Sequence, residues 1–174
     1  CVRGLIRSPS SSARLAATTV QWVQGTFEDL DSLERLVGDA DVVVHCAGAV
    51  RGISEADFYQ ANVEAVARLA HLAASRNPAP RFLLMSSLAA REPDLSPYAA
   101  SKRMGEIALS KVADRLIWTA LRPPAVYGPG DREMLPLLRL MLRGIAPVVG
   151  GKGARFSMLY VDDLSTLPEA RGRG

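Results

Sequence analysis

The chain has 174 residues, 48% of them hydrophobic, and a net charge of +3. That length can bury a real core and most simply forms one domain, while no apolar run approaches the roughly 18 residues of a membrane span. The arginines are scattered rather than blocked, which argues against a nucleic-acid partner, and Cys1 and Cys46 lack metal-like spacing, so no metal site is expected.

In chain order, VRGLI (2–6), TVQWV (19–23), DVVVHCA (41–47), RFLLMS (81–86) and LIWTAL (116–121) are predicted strands. They are short and mostly apolar, as expected for strands buried on both faces of a parallel sheet. Cys46, inside the third run, is accordingly expected to be a buried, reduced thiol of a cytoplasmic protein. Between the strands, residues 28–37, 54–75 and 97–113 carry apolar side chains at helical spacing. NPAP (77–80) ends the middle helix, because proline lacks the donor needed to continue it. After YGPGD (127–131) come a helix over roughly 133–143, a GGKG turn (150–153) and a strand, FSMLYV (156–161). GGKG has no upstream glycine at Walker spacing and reads as a loop. Strands alternating with helices mean βαβ crossovers and a doubly wound α/β parallel sheet.

The stretch SPYAASKRMGE (96–106) sets Tyr98 and Lys102 four residues apart. That spacing places both on one helical face with their polar ends able to converge. A phenol titrates near pH ~10 in isolation, and an adjacent ammonium favours the phenolate. Just upstream, Ser86 and Ser87 end a predicted strand, and the carboxyl ends of parallel strands are where doubly wound sheets bind ligands. A strand-end serine beside a tyrosine and an activating lysine suits proton transfer at a carbinol or carbonyl. The plainer alternative is a surface helix with an aromatic and a lysine one turn apart.

With these residues in hand, the chain resembles the extended short-chain dehydrogenase/reductase family, of NAD-dependent epimerase/dehydratase type. HCAG (45–48) matches the end of the family's fourth strand, and NVEAV (62–66) carries Asn62 into the next helix. FLLMSS (82–87), PYAASKRMGE (97–106), LRPPAVYGPGD (121–131) and YVDDL (160–164) match later signatures in the family's order. The resemblance implies a Rossmann-like fold. Residues 1–131 would be a truncated dinucleotide-binding domain and 132–174 the start of a substrate-binding region. It also implies that Ser87, Tyr98 and Lys102 are catalytic, and that Arg7, Ala47, Gly48, Asn62, Tyr98, Lys102 and Pro124 bind the cofactor. His45 and Cys46 are read as packing residues. A small-molecule substrate is implied, with a homodimer as a candidate assembly.

Several positions depart from the family pattern. Arg7 follows the first predicted strand where NAD-preferring members carry an acid; an arginine suits a 2′-phosphate, so NADP is expected in preference to NAD. Thr26 stands where an aspartate usually contacts adenine. Ala125 and Phe156 replace the Asn and Arg that nucleotide-sugar enzymes often carry, which favours a less polar hydroxyl or keto substrate. A nucleotide-sugar epimerase or dehydratase and a non-catalytic interaction module are the alternatives. The family's opening strand, Gly-x-x-Gly-x-x-Gly turn and helix have no counterpart, and RGRG after VDDL is unlike family sequence. The chain is therefore expected to be truncated at both ends. The absent strand would lie between VRGLI and DVVVHCA, leaving either a gap or a direct pairing of the two.

Overall fold

A computed structural model describes residues 1–8, 19–131, 134–145, 155 and 157–171. The chain divides into two compact units, Cys1–Arg122 and Pro123–Gly174.

In the first unit, β1 (Val2–Ile6) pairs in parallel with β2 (Val20–Gln24), Leu5 opposite Val23. A separate parallel sheet has the order β3 (Val42–His45), β4 (Arg81–Met85), β5 (Trp118–Leu121). Its register sets Val44 opposite Leu83 and Leu83 opposite Thr119. The connecting helices are α1 (Leu30–Val37), α2 (Glu55–Tyr59), α3 (Ala65–Ala74) and α4 (Pro97–Ser110). Each long helix start is marked in the sequence. Asp29 caps α1 and Ser96 caps α4, where Pro97 occupies a first-turn position that needs no donor. Parallel strands joined by helices give the expected α/β, Rossmann-like architecture.

The core lies where α1, α3 and α4 meet the sheets, around Leu33, Val37, Leu69, Phe82, Leu84 and Leu109. β4 has a strand on either side, and Phe82, Leu83 and Leu84 are all buried. Burial on both faces does not extend to β3. There Val43 and His45 are buried, whereas Val42 and Val44 are exposed. Cys46 follows the same alternation and is exposed, contrary to the buried thiol expected. Successive strand residues point to opposite faces, and the face carrying Val42, Val44 and Cys46 remains open. β1 and β3 do not pair with each other, so of the two arrangements open to this pair the structure has the gap.

In the second unit, β6 (Ala125–Tyr127) and β7 (Met158–Tyr160) pair in parallel around α5 (Leu135–Leu142), and α6 (Val161–Arg171) follows. The Tyr127 and Tyr160 rings pack 5.4 Å apart. The GGKG turn and Phe156 lie outside the described residues. No helix among the described residues is long and apolar enough to cross a membrane.

The helix expected over 54–75 is interrupted by a π-helical turn, Gln60–Glu64, between α2 and α3. Gly105 of α4 lies directly against the carbonyl oxygen of Asn62 in that turn, and a Cβ there would overlap the backbone. Alanine ordinarily gains about 1 kcal/mol over glycine inside a helix. Here overpacking should outweigh it, and Gly105→Ala should lose roughly 1 to 3 kcal/mol in urea unfolding.

Candidate functional site

The site is organised by one stripe of α4. Tyr98, Lys102 and Glu106 follow at i, i+4 and i+8, so they share a helical face. Glu106 is only 4% exposed and accepts hydrogen bonds from Ser86 Oγ at 2.6 Å, Arg122 Nε at 2.8 Å and Arg103 Nη1 at 3.2 Å. Burial alone would raise its carboxyl, but the Arg122 and Ser86 hydrogen bonds and the Arg122 charge prevail and hold it below the ordinary range. The Ser86 amide donates to Leu121 O at 2.8 Å. The cluster thus ties α4 to the carboxyl ends of β4 and β5. One turn earlier, Lys102 is buried and its Nζ donates to Met85 O at 3.2 Å. Burial pushes the ammonium below the usual lysine range, partly opposed by the Cys46 thiol.

Ser87 is free of the Glu106 cluster. Its Oγ accepts from Ala89 N at 3.2 Å and caps the short 3-10 turn Leu88–Arg91, while Ser86 is wholly engaged. Tyr98 is half-buried in the first turn of α4, its ring edge-on to Phe58 at 6.4 Å. Asn62 is more than a helical asparagine with a local bond. Its side chain accepts from Ala49 N and donates to Ala49 O, each at 3.0 Å, and donates to Ser101 Oγ at 2.9 Å. It thereby clamps the backbone after β3 to α4. A Cβ on Gly48 would sit 2.6 Å from Asn62 Oδ1 and 2.9 Å from Lys102 Nζ. Glycine is the residue that fits this approach.

Arg7, Ala47 and Gly48 line one cavity of about 1450 Å³. Lys102 and Asn62 adjoin it through Gly48, and Lys102 reaches the strand end that leads into Ser87. Pro124 lies in the second unit, just before β6. Sequence reading missed Arg122 as the partner of Glu106; the one signal was an arginine ending a strand, ahead of two prolines. It also missed the spatial need for Gly105. No group of three or more His, Cys, Asp or Glu suited to a metal occurs among the described residues.

Residues 1–167 match the model of the NAD dependent epimerase/dehydratase family. The chain belongs to that family. It is 40% identical over 144 residues to a ceramide reductase of Caulobacter vibrioides, an alignment covering 83% of this chain and 44% of that protein. A UDP-glucuronic acid 4-epimerase from Bacillus cereus, solved with NAD, superposes with a TM-score of 0.76 at 22% identity, covering 98% of this chain and 65% of that one. A dTDP-glucose 4,6-dehydratase from Streptomyces venezuelae gives 0.76 at 22% identity, covering 95% and 60%. The chain of this epimerase/dehydratase family member thus spans less than half of the curated relative and under two thirds of the solved ones.

His45 offers a measurable signature of the site. It is 2% exposed, its ring meets Phe27 edge-on at 5.2 Å, and its Nε2 has no partner among the described residues. Burial, then the charge of Lys102, lowers its pKa to about 4. A histidine in the unfolded chain titrates near ~6.5, so between these values the unfolded state binds more protons and stability is lost as the pH drops. Glu106 does not share this window, because its depressed carboxyl withdraws stability only below the ordinary carboxylate range. Lowering the pH from 7 to 5 should therefore cost on the order of 2 kcal/mol through His45. Urea unfolding of His45→Gln should lose most of that pH dependence.

Proposed function

We propose that the chain carries the cofactor and catalytic core of an NAD(P)-dependent oxidoreductase acting on a hydroxyl or keto group of a weakly polar, lipid-class substrate. The observation that carries this reading is the buried ammonium of Lys102 at the end of β4, on one helical stripe with Tyr98. Residues 1–131 would form the dinucleotide-binding part and residues from 132 the start of the substrate region.

The residues present suit the nicotinamide end of such a cofactor. Gly48 leaves its backbone bare beside an ammonium, where a larger residue would fill the space. Bound nicotinamide supplies or accepts a hydride. Tyr98 exchanges the proton at the substrate oxygen, and Lys102 favours the phenolate and holds ribose hydroxyls. Ser87 Oγ donates to the reacting oxygen, and Asn62 keeps the strand-end backbone at Ala47–Ala49 in place for the ligand.

The substrate class rests on Ala125 and Phe156, where polar contacts to a nucleotide diphosphate are missing, and on the likeness to a ceramide reductase. The likeness to sugar-nucleotide enzymes is 22% identical and speaks to the fold alone. Arg7 favours a 2′-phosphate, although Glu28 lies close enough to feel its charge.

In the protein that carries this chain, Tyr98→Phe should lower kcat by a hundredfold or more, roughly the value of a general acid–base, with little change in cofactor affinity. Lys102→Ala should weaken both. Wild-type kcat in Tyr98→Phe would remove tyrosine from the chemistry. Separately, Arg7→Asp should shift the NADPH-to-NADH affinity ratio toward NADH by about ten- to a hundredfold, as loss of a charge-assisted contact does. An unchanged ratio would make Arg7 a surface residue.

A further inference from the structure

Two serines follow one another at the end of β4, and their hydroxyls are put to different uses. Ser86 is buried and tied on every side. Its amide is shared between Leu121 O at 2.8 Å and Leu84 O at 3.1 Å, so the chain bends there as it leaves the strand. Its hydroxyl donates to Glu106 Oε1 at 2.6 Å, the short separation of a charge-assisted bond. The carbonyl just before it, that of Met85, accepts from Lys102 Nζ at 3.2 Å.

These bonds close a ring. Leu121 O accepts from the Ser86 amide, Arg122 beside it donates to Glu106 Oε1, and that same oxygen takes the Ser86 proton. The ends of β4 and β5 and one face of α4 meet in the ring, each group holding the next in place. Ser87, one residue further, stands outside it. Its Oγ accepts from Ala89 N at 3.2 Å, which leaves the hydroxyl proton for another oxygen. One peptide link therefore separates a serine whose proton is spent from a serine with a proton to give.

We propose that Ser86 is a positioning residue that acts through Ser87. Resting on the reading of Ser87 as donor to the reacting oxygen, its role is to fix the bend after Met85 and so the point from which Ser87 donates. Ser86 cannot serve the substrate itself while its proton lies on a buried carboxylate. Without the Ser86 hydroxyl, Glu106 keeps Arg122 and Arg103, so α4 stays docked and Lys102 keeps its place. What is lost is the tie on the backbone that leads into Ser87. A displacement of ~1 Å in a reacting group costs up to about a hundredfold in rate. The loss therefore falls on the chemical step and spares cofactor binding.

The test is a double-mutant cycle of Ser86→Ala and Ser87→Ala in the protein that carries this chain, read in two ways. The first is oxidation of a long-chain secondary alcohol, methyl decyl carbinol, by NAD(P). The second needs no substrate: hydrogen exchange of the Ala89 amide, which Ser87 Oγ caps. Ser86→Ala should lower kcat by about tenfold with KM and cofactor Kd within about twofold, and should speed Ala89 exchange by about fivefold while the amides of α4 keep their rates. Neither effect should add to that of Ser87→Ala, because a residue acting through another has nothing left to position. Additive losses, a parallel loss of cofactor affinity, or unchanged Ala89 exchange would overturn the proposal. Wild-type kcat in Ser87→Ala would remove the functional reading of Ser87 and this role with it, whereas a full Ser87→Ala loss beside an additive Ser86→Ala loss removes this role alone. Where the wild-type protein leaves this alcohol untouched, the exchange cycle decides.

Discussion

Glu106 is the constraint on which the first unit is arranged. A carboxylate this buried is tolerated only with its lone pairs satisfied, and Arg122, Ser86 and Arg103 satisfy them. Those partners come from the ends of β4 and β5 and from α4 itself. Fixing Glu106 therefore fixes the rotation of α4 on the sheet. The same stripe then sets Lys102 against the Met85 carbonyl and carries Tyr98 at the helix start. Gly105 lets the helix come close enough for Asn62 to reach Ser101. The elements of the proposed chemistry are consequences of one docked helix.

The open side of the unit has a different physics. Among the described residues, β1 and β3 line a cavity, and Val2, Val42 and Val44 on them are exposed. The candidate cofactor residues Arg7, Ala47 and Gly48 line that same cavity. The backbone that would meet a ligand there is continuous with the ends of β1 and β3.

Much of the fold was legible in the sequence because the strands are short apolar runs and the helices carry strong caps. Strand boundaries were met within about two residues, as alternation and turn residues allow. The π turn at Gln60–Glu64 was invisible: one extra residue in a helical turn leaves the hydrophobic period almost intact. β6 was hidden inside a motif read as a signature, and so was the start of α6, whose two aspartates suit a helix N-terminus. Cys46 was misjudged because an apolar run says nothing about whether a neighbour covers both faces. Tyr98, Lys102 and Ser87 were found through local spacing and strand-end position. Arg122 was not, since its partner lies sixteen residues away and no periodicity links them.

The central claim is that the anchored face of α4 presents Lys102 and Tyr98 to a nicotinamide cofactor at the end of β4. The most direct measurement is a crystal structure of the protein that carries this chain with NAD(P) bound. The account predicts Lys102 Nζ and Tyr98 Oη within hydrogen-bond reach, about 3 Å, of the nicotinamide ribose, with Glu106 still held by Arg122. A cofactor bound away from both side chains, with Lys102 still engaged only by the Met85 carbonyl, would contradict it.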